Sequence, residues 1–334
     1  MAINEEGGRV KKFAGILISI ASIIVIFKLT ETNLTWSAIS QAKPEMLLIA
    51  FILHALFWLL WAFRLKLLFS FLKQEISMGY ALETTLASMF LAAITPSSAG
   101  GEPLRVKMLV DKGASIGSAS AVILAERLLD AVFFISALPI FMFLSGFSAK
   151  LGRDVGIIFF VSLVLFIAVL YIGVKKPERA DALVEKLYPV LKKFFRAKKA
   201  EKICHYITKE LRMFGDAARE LANNSFNQIM TVTLLTAAIW IFEFLVPSAV
   251  LMAFAQSPFI LFSITSQLII VLLSLVPITP GSSGIAEASM LYLYSRFVTA
   301  YAVGVLVGIW RGITYFSTLI VGFIVTAKVL KTKY

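Results

Sequence analysis

Predominantly apolar runs long enough to cross a bilayer recur along this chain, and they constrain its fold more than any other feature. A helix needs about 18 or more apolar residues to span the hydrocarbon core. Such runs cover residues 13–29, 46–63, 115–144, 155–174, 228–254 and 299–327. They are continuous rather than alternating, so they read as helices, which satisfy their own backbone N–H and C=O groups in lipid. Composition agrees. Hydrophobic residues make up 59% and charged residues 16%, against about 25% charged in ordinary soluble domains. The same balance excludes a disordered chain, which needs low hydrophobicity and high charge. The expected fold is an all-α polytopic membrane protein.

Two interrupted apolar pieces behave differently. Residues 80–94 stop at Thr95-Pro96-Ser97-Ser98-Ala99-Gly100-Gly101-Glu102, and residues 259–276 stop at Pro277-Ile278-Thr279-Pro280-Gly281-Ser282-Ser283-Gly284, before a short piece at 285–294. Cytoplasmic loops carry an excess of Lys and Arg. With the N-terminus in the cytoplasm, residues 1–12, 64–79, 103–114, 175–224 and 328–334 hold 25 of the 32 basic residues on that side. This partition makes each interrupted piece a re-entrant hairpin, the first entering from the cytoplasm and the second from outside. The expectation is about six full spans plus two hairpins, with both termini cytoplasmic in the cell membrane. Full crossings in place of hairpins are the competing topology. The run at 13–29 follows Arg9, Lys11 and Lys12 and lacks a clear small-residue cleavage site, so it reads as a retained anchor. Residues 175–224 carry 13 basic and 7 acidic residues, with apolar positions at helical spacing. They read as a cytoplasmic amphipathic helical region, either lying on the membrane or linking two halves.

The two interruptions match. Thr95, Pro96, Ser98 and Gly100 correspond to Thr279, Pro280, Ser282 and Gly284 at a constant offset of 184, and Arg127 corresponds to Arg311 at the same offset. An arginine thus lies 31 residues after each proline, inside an apolar span, and a glutamate follows each turn, Glu102 and Glu287. Duplication accounts for this. The chain reads as one transmembrane domain, 1–334, with half-repeats at about 46–174 and 228–327 in inverted orientation. Pro removes a donor and Gly permits turns that other residues resist. Broken segments in corresponding halves point to a transporter's midplane site. The helix restarting after each break presents N–H groups that favour an anion, so Ser98, Gly100, Gly101, Ser282, Ser283 and Gly284 are candidate anion contacts.

Ionisable residues within a span cost roughly 2.5–3.5 kcal/mol each on insertion scales. Glu126, Arg127 and Asp130 interrupt one long run, and Arg311 another. Arg127 and Arg311 need anionic partners, which Glu102, Glu126, Asp130, Glu287 or a ligand phosphate could supply. A structural ion-pair network is the other reading of the same residues. Glu243 is a weaker candidate, and His54 reads as a packed or interfacial histidine. A single Cys204 and only two histidines, His54 and His205, leave little for a metal centre, a cofactor or His-based catalysis. The excess of basic residues fits topology and anionic lipid rather than nucleic acid.

The elements Pro96…Gly100-Gly101-Glu102-Pro103-Leu104-Arg105, Glu126-Arg127…Asp130, and Pro280-Gly281-Ser282-Ser283-Gly284…Glu287 with Arg311 resemble the lysylphosphatidylglycerol synthase transmembrane-region family, also called the flippase-like domain family. The resemblance covers nearly the whole chain, although Pro96-Ser97 departs from the more usual Pro-Gly start of the first turn. It implies a stand-alone member without the synthase domain, no enzyme, and a lipid flippase. The substrate would be a phospholipid or a polyprenyl-phosphate or glycolipid. Arg127, Arg311 and Arg105 with the turn residues would hold the headgroup phosphate, while Glu102, Glu126, Asp130 and Glu287 balance charge or meet the headgroup. Membrane lipid is then the partner, and a homo-oligomer is compatible. A transporter of small soluble anions is the alternative, and a lipid-modifying enzyme a weaker one.

Overall fold

The computed structural model describes residues 17–29, 36, 39–95, 100–147, 153–154, 156–161, 163–164, 189, 192, 197–275 and 279–331. Every regular element among them is helical: α1 (Leu17–Leu29), α2 (Pro44–Phe71), α3 (Met78–Ile94), α4 (Gly101–Val110), α5 (Ile116–Ser145), α6 (Ala197–Ala222), α7 (Phe226–Ala253), α8 (Ile260–Ser274), α9 (Ile285–Tyr294), α10 (Ala300–Arg311) and α11 (Ser317–Lys331). A short 3₁₀ turn, Pro280–Ser282, precedes α9, and a π-helical segment, Gly312–Phe316, joins α10 to α11. Among the described residues, four helices are long and apolar enough to cross a membrane: α2, α5, α7 and the joined α10–α11, over Ala300–Val329. The first expected span appears as α1. Of the fourth, at 155–174, only scattered helical residues are described.

Helix starts follow local chemistry. Ser77, Ser115 and Ser225 cap α3, α5 and α7 by accepting from backbone N–H groups three residues on, and Gln228 completes a capping box. Inside lipid the hydrophobic effect between helices is weak, so packing and hydrogen bonds must join them. The α2–α7 seam meets this with aromatic side chains. Trp240 lies 5.9 Å from Phe57, 5.8 Å from Trp61 and 4.7 Å from Phe134 between ring centroids. The outward face of α2 carries exposed Leu48, Ile49, Ile52, Leu59 and Phe63, while His54 and Arg64 are buried on the inner face. That apolar-out, polar-in arrangement suits a lipid surround.

The limbs of each interrupted piece pack against each other, α3 on α4 and α8 on α9. Gly101 makes the first approach close, since a Cβ there would sit 2.9 Å from the Ser88 carbonyl and 3.0 Å from the Ala92 methyl. Of the amphipathic region, residues 197–222 form α6; residues 175–188, 190, 191 and 193–196 lie outside the described residues. α6 seats Ala217, Phe214 and Leu221 against the ends of α2 and α5. Glu210 accepts a hydrogen bond from the Gly117 backbone N–H at 2.8 Å, a first-turn donor of α5 that the Ser115 cap leaves open. A methyl group at Gly117 would collide with the Glu210 carbonyl and the Phe214 amide. Gly117→Ala should therefore cost about 1–3 kcal/mol as an overpacked contact. The check is melting in detergent together with proteolysis within 197–222, both of which should worsen while Glu210→Gln stays close to wild type.

One boundary is corrected. The apolar run read as ending at residue 63 continues as helix to Phe71. Arg64 is therefore an interior residue rather than a loop charge, and Arg105, also counted as cytoplasmic, is 2% exposed. Both arginines have partners inside the protein.

Candidate functional site

Three arginines and three carboxylates meet where α2, α4, α5 and α7 converge. Arg64, fully buried, is the hub. Its Nη1 and Nη2 donate to the two oxygens of Asp130 at 2.6 and 3.3 Å, its Nε to Glu126 at 3.3 Å, and Nη1 also to Thr236 Oγ1 at 2.9 Å. Trp240 Nε1 donates to Asp130 at 2.9 Å. Arg105 binds the other oxygen of Glu126 and lies 3.6 Å from Glu102. Arg127 sits at the rim, 3.0 Å from Glu102 and 3.2 Å from Asp130, with its guanidinium 5.1 Å from the Trp61 ring centre. Six charges cancel in formal terms, which is what a low-dielectric interior requires of buried ions.

The second group is smaller and tighter. Arg311, at the end of α10, donates Nε and Nη2 to Glu287 at 2.9 and 3.2 Å and lies 3.4 Å from the Gly281 carbonyl. Glu287 is wholly buried and also accepts from Ser19 of α1 at 2.5 Å and from the Gly284 backbone N–H at 2.7 Å. The restarted helix α9 thus spends one of its free N–H groups on its own glutamate. The turn before it holds Gly281, Ser282 and Gly284 at φ of +59°, +53° and +87°. Gly281 admits no side chain, because a Cβ would lie 2.6 Å from the Tyr315 ring and 3.0 Å from the Ala93 carbonyl. Tyr315 itself donates to that carbonyl at 3.3 Å and stacks 4.8 Å from Arg311. The C-terminal end of α3, which leads into the first interruption, therefore touches the second.

In each half, the arginine 31 residues after the Thr-Pro proline pairs with the glutamate opening the short helix after the turn, Arg127 with Glu102 and Arg311 with Glu287. The pairs differ in exposure: the Arg127 side chain is 39% exposed, that of Arg311 7%. Among the described residues, no hydrogen bond or ion pair joins the two groups. Of the remaining candidates, Gly100 donates to Thr95 Oγ1 at 3.0 Å, Ser282 donates to the Ser274 carbonyl at 2.6 Å, and Ser283 is fully buried. Ser98 lies outside the described residues.

Arg127 and Asp130 line a cavity of about 280 Å³ with Leu128, Phe134, Phe159 and Leu275. Phe134 and Phe159 are shared with a larger cavity of about 620 Å³ that is almost wholly apolar and has Arg153 among its lining residues. A cation at the end of an apolar space suits an amphiphile, whose charged head and apolar tail need those two surroundings.

Sequence reasoning missed Arg64, Thr236 and Trp240 as partners of the charges at 126–130. It also treated His54 and Glu243 separately, whereas they form a pair at 2.6 Å. The apolar residues Leu65, Leu67, Leu68 and Phe69 running on past Arg64 were the available signal that this arginine lies inside a helix.

Compared with known proteins, residues 12–322 match the family described as "Lysylphosphatidylglycerol synthase TM region". The chain is 47% identical over 321 residues to a UPF0104 membrane protein of Archaeoglobus fulgidus, covering 96% of this chain and 98% of that one. It is 26% identical to a UPF0104 membrane protein of Methanothermobacter thermautotrophicus, over 84% and 82% of the two chains. A third such protein, of Pyrococcus horikoshii, is 23% identical over 95% and 97%.

Proposed function

The chain belongs to the lysylphosphatidylglycerol synthase TM-region family, and from that premise we propose that it is a lipid translocase rather than an enzyme. Its substrate is a lipid with a phosphate-bearing headgroup, a phospholipid or a polyprenyl-phosphate or glycolipid, moved between leaflets of the cell membrane. The observation that carries this reading is Arg127 at the edge of a cavity whose lining, apart from Arg127 and Asp130, is apolar. Its Nε has no hydrogen-bond partner among the described residues. A phosphate there gains charge-assisted hydrogen bonds, while its acyl or prenyl chains occupy the cavity beyond. A soluble anion would need a polar enclosed path, and the apolar lining argues against one.

The two interruptions act as re-entrant hairpins of an inverted repeat that meet near the bilayer centre, with both termini cytoplasmic and α6 on the cytoplasmic side. The matched pairs Arg127–Glu102 and Arg311–Glu287 support the repeat. The headgroup displaces Glu102 from Arg127 more readily than Glu287 from Arg311, because Glu102 is 44% exposed and Glu287 not at all. Arg105, the Ser and Gly residues of the turns and the remaining carboxylates shape the path.

Lipidomics of the purified protein should find phosphate-bearing lipid enriched relative to an unrelated membrane protein from the same cells. Vesicles containing the protein should exchange headgroup-labelled lipid between leaflets faster than empty vesicles. No acceleration for anionic phospholipid, polyprenyl phosphate or glycolipid would overturn the reading.

A further inference from the structure

We propose that His54 and Glu243 form the binding site of a coupling proton, so that lipid movement responds to a pH gradient; the role rests on the translocase reading above, but the proton site does not. His54 on α2 is 2% exposed, and both ring nitrogens are engaged. Nδ1 lies 2.6 Å from Glu243 Oε2 on α7, and Nε2 lies 3.1 Å from Thr318 Oγ1 on α11. Phe57 stacks on the ring and Trp58 meets it edge-on.

The Thr318 hydroxyl has one proton and donates it to the Thr314 carbonyl at 2.6 Å. It therefore accepts from His54, and Nε2 carries a proton. The 2.6 Å contact at Nδ1 then needs a second proton, either on Nδ1 against a carboxylate or on Glu243 against a neutral ring. In both cases the pair is loaded and neutral overall. Removing that proton leaves a buried negative charge, and the geometry cannot persist. Either two lone pairs face each other, or the ring proton moves to Nδ1 and Thr318 must turn its hydroxyl from Thr314 to Nε2.

That rotation occurs at a place with leverage. Thr314 lies in the π segment and Thr318 just after it, and such segments recur at functional sites. Arg311 immediately precedes the segment. On α7, Thr236, Trp240 and Glu243 follow helical spacing and reach Arg64, Asp130 and His54 in turn. The pair therefore touches elements that hold both arginine groups.

Other buried carboxylates are unsuited to carrying a proton. Glu126, Asp130 and Glu287 are each already paired with an arginine, whereas Glu243 is paired with a histidine. Glu243 is the one charged residue of α7. From the neighbouring elements the charged groups are Glu45, Arg64 and Lys66 on α2, Glu83 on α3, Asp130, Arg127 and Glu126 on α5, Glu287 on α9, Arg311 on α10, and Lys328 and Lys331 on α11. None of these has a hydrogen bond or ion pair to His54 or Glu243 among the described residues. In the cycle, a proton from water on one side forms the N–H or O–H bond of the pair, and the same bond releases it to water on the other side.

The chain has two histidines, so ¹⁵N-histidine NMR on a His205→Asn background reads His54 alone. Its ring resonances should report loss of the pair's proton across a pH titration, and Glu243→Gln should remove or displace that change. Phosphatidylglycerol vesicles with headgroup-labelled phosphatidylglycerol then report transport. An imposed pH gradient should change the wild-type rate several-fold, with Glu243→Gln and His54→Gln insensitive to it. Thr318→Val, nearly isosteric, serves if those variants fail to fold, and should blunt the response. A His54 that does not titrate overturns the site, and a titrating His54 with gradient-independent transport overturns the coupling. No lipid movement by wild type under any gradient overturns the translocase reading and the coupling with it, leaving the NMR result to judge the site alone.

Discussion

Arg64→Ala should abolish the folded, monodisperse protein rather than merely slow it. Arg64 ties α2 to α5 through Glu126 and Asp130 and to α7 through Thr236, with no exposed surface. Removing one partner of a buried pair costs roughly 3–5 kcal/mol, because the other charge is left unpaired. Whole domains are held by only about 5–15 kcal/mol. Arg64→Lys keeps the charge, but one ammonium cannot reproduce the fork that grips both oxygens of Asp130. It should fall between wild type and alanine. The group is neutral with three cations and three anions, so Arg64→Leu combined with Asp130→Asn restores that balance and should recover part of the stability. Thermal unfolding followed by size-exclusion chromatography in detergent measures all four chains. An Arg64→Ala protein melting with wild type would remove Arg64 from the framework.

The places where sequence reasoning failed share a cause. Periodicity and apolar length locate α2, α5, α7 and α10–α11, since each needs only its own residues. The breaks between α3 and α4 and between α8 and α9 were legible because Pro and Gly act locally, and the 184-residue offset tied Arg127 to Arg311. Pairing across the fold was not legible. Arg64 and Asp130 are 66 residues apart, and His54 and Glu243 are 189 apart. Arg64 beside Lys66 looks like a loop charge until the helix is seen to continue to Phe71. The repeat also misled in one respect, because it presents Arg127 and Arg311 as equals. α1 breaks the equivalence: Ser19 adds a hydrogen bond to Glu287, which is closed in, while Glu102 is left partly open.

That inequality separates two variants which the repeat alone would treat alike. Arg127→Ala should leave a folded protein that translocates lipid poorly, whereas Arg311→Ala should lose the fold. Arg127 is partly exposed, and its partners have others: Asp130 keeps Arg64 and Trp240, and Glu102 keeps Arg105 nearby and is itself 44% exposed. Little is stranded when Arg127 goes. What is lost is the cation facing the apolar cavity. A hydrogen bond to a charged group contributes about 1.5–3 kcal/mol, which corresponds to roughly ten- to a hundredfold in transport rate. Arg127→Lys retains the charge without the fork and should keep part of that rate. Arg311 is different. Its removal leaves Glu287 wholly buried, with Ser19 and the Gly284 N–H as its remaining donors among the described residues, and the turn at Gly281 loses a contact. Arg311→Leu with Glu287→Gln removes both charges together and should restore folding more than either change alone. Reconstitution of the folded variants, compared for transport of headgroup-labelled lipid, decides between the roles. Wild-type transport by a folded Arg127→Ala protein would end the phosphate-binding role of Arg127, and a stable Arg311→Ala protein with wild-type melting would end the structural role of Arg311.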